Sequence, residues 1–234
     1  MGMNIALLGY GKMGKVIERI ALERGHKIVL RKTRQNAFDG LETADVAIDF
    51  SIPDAAVENI TACLQNGIPV VSGTTGWLAQ YEAMKALCEK QNGAFLYGSN
   101  FSLGVNLFFE LNQKLAQLMA KFPQYAVDME EIHHTQKLDK PSGTAITLAE
   151  GLLPYTSFTQ WSLDADATDA LYIDVKRENE VPGTHSIFYR SAVDTIEIKH
   201  TAHNREGFAY GAVIAAEWLP TRKGVFTMKD VLDL

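Results

Sequence analysis

The chain has 234 residues, enough for one large domain or two small ones with real cores. Apolar residues make up 47% and charged residues 21%, ordinary values for a soluble globular enzyme. A formal net charge of -6 with no dense Lys/Arg run argues against a nucleic-acid binder, and no stretch approaches the ~20 apolar residues of a membrane span. The two cysteines, Cys63 and Cys88, both fall in helical patterns, so buried reduced thiols are expected, not a disulfide. The N-terminus runs straight into a strand without a signal-peptide pattern, and a cytoplasmic location is expected.

Asn4 to Gly9 is a short apolar strand of the kind buried in a parallel sheet. It leads into Gly9-Tyr10-Gly11-Lys12-Met13-Gly14, then an amphipathic helix from Lys12 to Arg24 stopped by Gly25, then a strand from Lys27 to about Lys32. A G-x-G-x-x-G between strand and helix in a ~30-residue βαβ unit is a dinucleotide fingerprint. Gly9 permits the tight turn, Gly11 lets the backbone approach a pyrophosphate, and Gly14 lets helix and strand pack closely. The plain alternative is a glycine-rich turn without a ligand.

The second strand ends in Arg31, Lys32, Thr33 and Arg34, with no carboxylate before Asp39. A carboxylate there would bind the ribose hydroxyl of NAD, whereas basic groups accommodate the 2′-phosphate of NADP. NADPH is therefore the expected donor ahead of NADH, with Thr33 and Arg34 as contacts; a solvated basic loop is the competing reading. Val46 to Phe50 is the next strand, and Ser51-Ile52-Pro53-Asp54 resembles a capping box opening a helix to Asn66. Pro69 to Ser72 is a strand ending in Gly73-Thr74-Thr75, a helix runs from Leu78 to about Gln91, and Ala94 to Gly98 is the fifth strand, ending in Ser99-Asn100-Phe101. In an open parallel sheet ligands bind at the carboxyl ends of the strands, so three small polar segments, Asp49 to Ser51, Gly73 to Thr75 and Ser99 to Phe101, converge on one cofactor cleft.

After Ser102 the rhythm changes. A long helix from Leu103 to Lys121 carries Leu107, Phe108, Leu111, Leu115 and Leu118 at helical spacing, as for a core or a subunit interface. Ala126 to His133 alternates as a strand with Val127, Met129 and Glu131 on one side. His134 to Lys140 is a polar loop, and Ser142 is a good N-cap for a helix from Ala145 to Leu153. Ala170 to Arg177, Ser186 to Tyr189 and Thr195 to Ala202 alternate like antiparallel strands, and an apolar helix from Phe208 to Leu219 returns towards the first half. The expected fold is α/β: a Rossmann-type parallel-sheet domain at 1–102, completed by 205–234, plus a smaller α+β domain at 103–204. Two crossings between them would make a hinge.

The chemistry concentrates between Glu130 and Ala145. A helix N-terminus beside Gly143 exposes backbone N–H groups and partial positive charge, which suits a carboxylate. His133, His134 and Lys137 add proton and hydrogen-bond donors. A solvated loop is the bland alternative. A zinc site is disfavoured because adjacent strand residues point to opposite faces, and no metal is expected.

These residues resemble the dihydrodipicolinate reductase family. The resemblance is carried nearly end to end: by Gly9 to Gly14, Asp49-Phe50-Ser51, Gly73-Thr74-Thr75, Ser99 to Asn106, Glu131-Ile132-His133-His134 through Lys137, Asp139 and Pro141 to Ala145, and by Phe208 to Ala212 and Ala215 to Leu219. It implies reduction of a small ring dicarboxylate to tetrahydrodipicolinate in lysine and diaminopimelate biosynthesis, with hydride from NAD(P)H. It assigns His133 and Lys137 as proton donors, His134 as a substrate-binding histidine, and Gly143 and Thr144 as the carboxylate clamp, with Ser142 beside them in the substrate-binding set. The cofactor set it implies is Gly9 to Gly14, Thr33, Arg34, Gly73, Thr74, Thr75, Gly98, Ser99, Asn100 and Phe101. It further implies a homotetramer built through the second-domain sheets, and domains that close over substrate. Departures are Thr33-Arg34 where family members often carry Glu-Arg, short segments before Asp45 and after Leu153, and Thr201 where an Arg commonly follows His200. The rivals are another Rossmann reductase of a small amino or keto dicarboxylate, and a non-catalytic NADP-sensing module.

Overall fold

The computed structural model describes residues 2–204 and 206–234. Residues 1 and 205, where two of the expected domain limits fall, lie outside the described residues. The chain divides into two compact units, Met1–Leu103 with Glu206–Leu234, and Gly104–Arg205.

In chain order the elements are β1 (Asn4–Leu8), α1 (Lys12–Glu23), β2 (Lys27–Lys32), β3 (Val46–Asp49), α2 (Pro53–Gln65), β4 (Val70–Ser72), α3 (Tyr81–Lys90) and β5 (Ala94–Tyr97). There follow α4 (Leu103–Met119), β6 (Ala126–His133), α5 (Gly143–Leu152), β7 (Gln160–Ser162), β8 (Ala170–Arg177), β9 (Gly183–Arg190) and β10 (Thr195–Ala202). The chain closes with α6 (Glu206–Trp218), β11 (Gly224–Phe226) and α7 (Met228–Leu232).

The first unit holds a six-stranded sheet in the order β11-β5-β4-β3-β1-β2, parallel at every pairing. Strand order reverses between β1 and β3, which places a binding crevice at their carboxyl ends. The strands are apolar on both faces because both faces are covered. On one, Ile17, Ile20 and Ala21 of α1 meet Ala209, Ala212, Val213 and Ala216 of α6. On the other, Ile60, Cys63 and Leu64 of α2 and Met84 and Cys88 of α3 pack on Phe95 and Val70. Each fully buried Ile, Leu or Phe contributes roughly 1.5–3 kcal/mol of transfer free energy. Both cysteines are free and buried, as expected.

Two local expectations are corrected here. Helix α2 begins at Pro53 with Ile52 as N-cap and no side-chain cap, so Ser51-Ile52-Pro53-Asp54 is not a capping box. The Ser51 hydroxyl instead donates to the Asp49 carboxylate at 2.7 Å, and Pro53, lacking an N–H, leaves one fewer donor to cap. The helix expected from Leu78 is a single 3-10 turn, Leu78–Gln80, followed by α3.

The second unit holds a five-stranded sheet in the order β10-β9-β6-β8-β7. Strand β9 is antiparallel to β10 and β6, as alternation implied, but β8 runs parallel to both β6 and β7. Alternation reports a half-buried face and not direction. Here α5 lies in the connection from β6 to β8 and returns the chain to the same end of the sheet, the requirement for a parallel pair. Helices α4 and α5 cover one face, where Phe108, Leu148 and Leu152 pack on Met129, Leu171, Ile173 and Ile187. Along β6 every second residue from Met129 turns inward, so Glu131 and His133 are buried with it. No helix among the described residues is long and apolar enough to cross a membrane.

Candidate active site

At the crevice of the first unit, a cleft of about 530 Å³ is lined by Gly9, Tyr10 and Gly11 after β1, Lys32, Thr33 and Arg34 after β2, and Phe50 and Ser51 after β3. A smaller cleft of about 210 Å³ shares Phe50 and Ser51 and adds Met13, Gly73, Thr74 and Thr75. Gly9 has φ +98°, and a Cβ there would lie 2.2 Å from the Phe50 carbonyl oxygen, so only glycine makes this turn. A Cβ on Gly11 would meet nothing within 4 Å, which leaves the backbone open to a phosphate at the start of α1. These features fit a dinucleotide.

The rim is braced from below by Asp49, fully buried, which accepts from Ser51 and Ser72 hydroxyls at 2.7 and 2.8 Å and from the Asn59 amide at 2.8 Å. Burial raises its pKa above the ordinary carboxylate value, against the lowering effect of these donors. The Ser51 backbone N–H in turn donates to Thr74 Oγ1 at 2.8 Å, tying the ends of β3 and β4 together.

Of the basic run, Arg31 is engaged by Glu18, its Nε donating at 3.0 Å, and Glu18 also accepts from the Tyr10 hydroxyl. Lys32 lies 4.8 Å over the Phe38 ring, and Arg34 stands exposed at the cleft. Lys12 starts α1 outside both clefts, and Gly14 is buried in that helix. Neither cleft is lined by Gly98, Ser99, Asn100 or Phe101. Phe101 is 1% exposed, its ring 5.6 Å from that of Phe50, so its contribution is to pack the aromatic wall. Phe50 and Ser51, at the end of the strand adjoining β1, belong to a strand-end segment expected at the cofactor cleft, and they line both clefts.

In the second unit, the stretch from Glu131 to Thr144 forms strand end, loop and helix start as expected. Ser142 is the N-cap of α5, its Oγ accepting from the Ala145 N–H at 3.1 Å. Gly143 is exposed and Thr144 half-buried on the first turn. The Ser142 backbone N–H donates to Glu131 Oε2 at 2.9 Å, and Ser142 Oγ lies 3.2 Å from His185 Nε2. Glu131 Oε1 accepts from Arg177 Nη1 at 3.1 Å. Arg177 also donates to the carbonyls of Lys137 (3.3 Å) and Asp139 (2.7 Å), fastening the loop that carries Lys137. The Lys137 ammonium pairs with Asp139 at 2.8 Å and depresses that carboxyl's pKa.

His133 is 7% exposed, and burial pushes its pKa down to about 4; Glu131 opposes that shift, while Lys137 and Arg177 reinforce it. His185, ring to ring at 5.1 Å, is pushed down to about 3, first by burial and then by His133. Both imidazoles are therefore neutral at pH 7 in the free protein. Glu131, His133 and His185 lie close enough to hold a cation, but both carboxylate oxygens already accept hydrogen bonds, from Ser142 and from the Arg177 guanidinium. His134 opens instead on a cleft of about 650 Å³ with Gln136, Glu180 and Pro182. Arg177 and His185 were not foreseen, since nothing in sequence links positions on β8 and β9 to β6. Glu131 carried a legible signal, a carboxylate in phase with Met129 on the buried side of its strand.

The comparisons with known proteins agree with this geometry over the whole chain. The family described as "Dihydrodipicolinate reductase, N-terminus" matches residues 3–101, and "Dihydrodipicolinate reductase, C-terminus" matches residues 104–232. A 4-hydroxy-tetrahydrodipicolinate reductase of Christiangramia forsetii is 57% identical over 235 residues, covering 99% of this chain and 98% of that protein. One of Oleidesulfovibrio alaskensis is 34% identical, covering 96% and 90%. Among solved structures, a dipicolinate-bound dihydrodipicolinate reductase from Paenisporosarcina sp. TG-14 has the same fold, with a TM-score of 0.75, 24% identity, and coverage of 97% and 98%. With both halves matched and the glycine turn, the His-His-x-x-Lys loop and the Pro-Ser-Gly-Thr helix start all in place, the chain belongs to the dihydrodipicolinate reductase family.

Proposed function

We infer that the chain is a 4-hydroxy-tetrahydrodipicolinate reductase, an NAD(P)H-dependent oxidoreductase of lysine and diaminopimelate biosynthesis. The observation that carries this is the second-unit cluster, where a helix N-terminus suited to a carboxylate sits beside His133 and Lys137, in a chain 57% identical to a named reductase end to end. In this reading residues 1–102 with 205–234 bind the nucleotide, and 103–204 bind substrate and form the subunit contacts of a cytoplasmic homotetramer. The exposed Leu107, Leu111 and Leu118 on one face of α4, with the outward strand β10, support such contacts.

A bound reduced nicotinamide supplies the hydride. The glycine turn and the Phe50–Ser51 wall hold the dinucleotide, with Gly73 to Thr75 beside them and Gly98 to Phe101 as the next strand end. Ser142, Gly143 and Thr144 present the clamp to a substrate carboxylate, and His134 contributes a further contact. Lys137 is cationic and matches a dianionic ring electrostatically. His133, neutral when free, gains proton affinity as the substrate's negative charge arrives, so binding itself prepares the acid. NADPH is the preferred donor, read by Lys32 and Arg34.

The test is loss of NADPH absorbance on adding freshly generated 4-hydroxy-tetrahydrodipicolinate. Replacing both His133 and Lys137, as His133→Gln with Lys137→Ala, should lower turnover by about 10²–10⁴-fold and leave NADPH affinity unchanged. Full activity in the double variant refutes the acid assignment.

A further inference from the structure

Glu131 reaches several parts of the proposed site, some directly and the Lys137 loop through Arg177. Its Oε1 seats Arg177, whose remaining N–H groups hold the carbonyls of Lys137 and Asp139 and so set the loop. Its Oε2 accepts from Ser142, the residue that starts the clamp helix, and lies 3.9 Å from His185 Nε2. The same oxygen is 3.7 Å from His133 Nδ1, a buried atom with no hydrogen-bond partner among the described residues. A shift of about 0.8 Å would bring that pair to hydrogen-bond length. On the opposite side of the ring, Nε2 passes over the bare Cα of Gly183, where a Cβ would come within 3.0 Å. The imidazole is thus held between a carboxylate that faces Nδ1 and the bare Cα of Gly183.

We propose that Glu131, seated by Arg177, is the positioning residue of the site: it orients His133 so that Nε2 delivers the proton while Nδ1 stays with the carboxylate, and it fixes the Ser142 to Thr144 clamp in the same frame. In the transfer the Nε2–H bond breaks, its electron pair remains on the ring, and the proton passes to the substrate, leaving a neutral imidazole with its hydrogen on Nδ1. The charged and titratable groups facing His133 are Glu131, Lys137, Asp139, Arg177 and His185. Of these, Glu131 alone is both negative and fully buried, so it is the one whose field on the ring is least screened.

The inference rests on the reductase reading, and its test separates the two. The imidazole of His133 is titrated by NMR in the ligand-free wild type, Glu131→Asp and Glu131→Gln, and the pH profile of NADPH consumption is taken in parallel with NADPH affinity. His133 should titrate lower by about one unit in Glu131→Gln, with the Asp variant between, because a nearby anion is removed or withdrawn. The alkaline fall of activity should move to lower pH in the same order, kcat at pH 7 should drop roughly 10- to 100-fold in Glu131→Gln by analogy with other orienting carboxylates, and NADPH affinity should hold. A purely structural role would scale activity without moving the titration. If Glu131→Gln fails to fold, Glu131→Asp carries the test, since it keeps the buried charge facing Arg177 and withdraws it from the ring. An unmoved His133 titration overturns the proposal whether or not the enzyme turns over; a moved titration in an enzyme inert towards this substrate overturns only the reductase reading.

Discussion

Each unit is built around one fully buried carboxylate, and the two are stabilised in different ways. Asp49, at the end of β3, is held by two hydroxyls and an amide, all neutral, and its pKa is raised. Glu131, near the end of β6, is held by a guanidinium and a backbone N–H, with two histidines against it. Neutral donors satisfy an anion's lone pairs without compensating its charge, which makes Asp49 a brace for the shape of the cofactor rim. A paired cation compensates the charge as well, and leaves Glu131 able to influence the protonation of its neighbours. The contrast separates a carboxylate that braces a shape from one that acts through its charge.

The sharpest way to break the contrast is to remove the cation. In Arg177→Met the methylene stem is retained but Glu131 is left buried and uncompensated. Removing one partner of such a pair costs about 3–5 kcal/mol, and the Lys137 and Asp139 carbonyls lose their donor as well. Chemical denaturation should show a loss of that size, and restoring the charge as Arg177→Lys should recover only part of it because a single ammonium cannot reach all the acceptors. A loss below about 1 kcal/mol in Arg177→Met would mean that Glu131 is solvated or protonated, and the distinction between the two carboxylates would collapse.

Acid should then act on the two units with opposite sign. The Asp49 carboxyl titrates above its unfolded value of 3.8, so the cost of burying its charge is present at neutral pH and fades as pH falls through the raised pKa. His185 titrates far below its unfolded value of 6.5, at about 3, so the unfolded chain takes up a proton that the folded one refuses. Stability is therefore lost progressively as pH drops from 6.5 towards 3, and His133, at about 4, adds in the same direction. At about 1.4 kcal/mol per unit, His185 alone is worth on the order of 5 kcal/mol across that window. Melting curves of wild type and His185→Gln should converge with falling pH, because the variant lacks this acid penalty, whereas any stability difference favouring Asp49→Asn at pH 7 should shrink. Curves that stay parallel in either pair would show that the buried group titrates as it does in water.

How much of this was legible in sequence follows from how local each feature is. The βα rhythm, the glycine turn and the Ser142 cap depend on neighbours a few residues apart, and each stands where the pattern put it. The parallel direction of β8 depends on where a connection of more than thirty residues comes back, and alternation carries no information about that. Strand β11 is three residues long and exists because β5 offers it an edge, a tertiary cause without a local signature. In the site, His133, Lys137 and Ser142 are adjacent in the chain and were visible together. Arg177 and His185 reach them only through sheet register, Glu131 opposite Val175 on one side and His185 on the other, and register cannot be read from one strand.

The smallest effect asks whether the first unit reads any charge at all. Lys32 and Arg34 line its cleft, while Arg31 is committed to Glu18 and, 5.9 Å from the Tyr10 ring, packs against the glycine turn. If a 2′-phosphate is recognised, Lys32→Ala and Arg34→Ala should each weaken NADPH binding by up to about tenfold, an exposed ion pair strengthened by charge-assisted hydrogen bonds. NADH, which lacks that phosphate, should be unaffected, and the NADPH preference should shrink with added salt because the pairs are exposed. Arg31→Ala should behave differently. By releasing Glu18 and Tyr10 it disturbs the wall of the cleft, so both nucleotides should weaken alike. Fluorescence titration of the three variants with both nucleotides tests this, and equal dissociation constants for NADPH and NADH in the wild type would remove the basic loop from recognition. The first unit would then select by contour alone, from the Asp49-braced rim to the far end of the cleft.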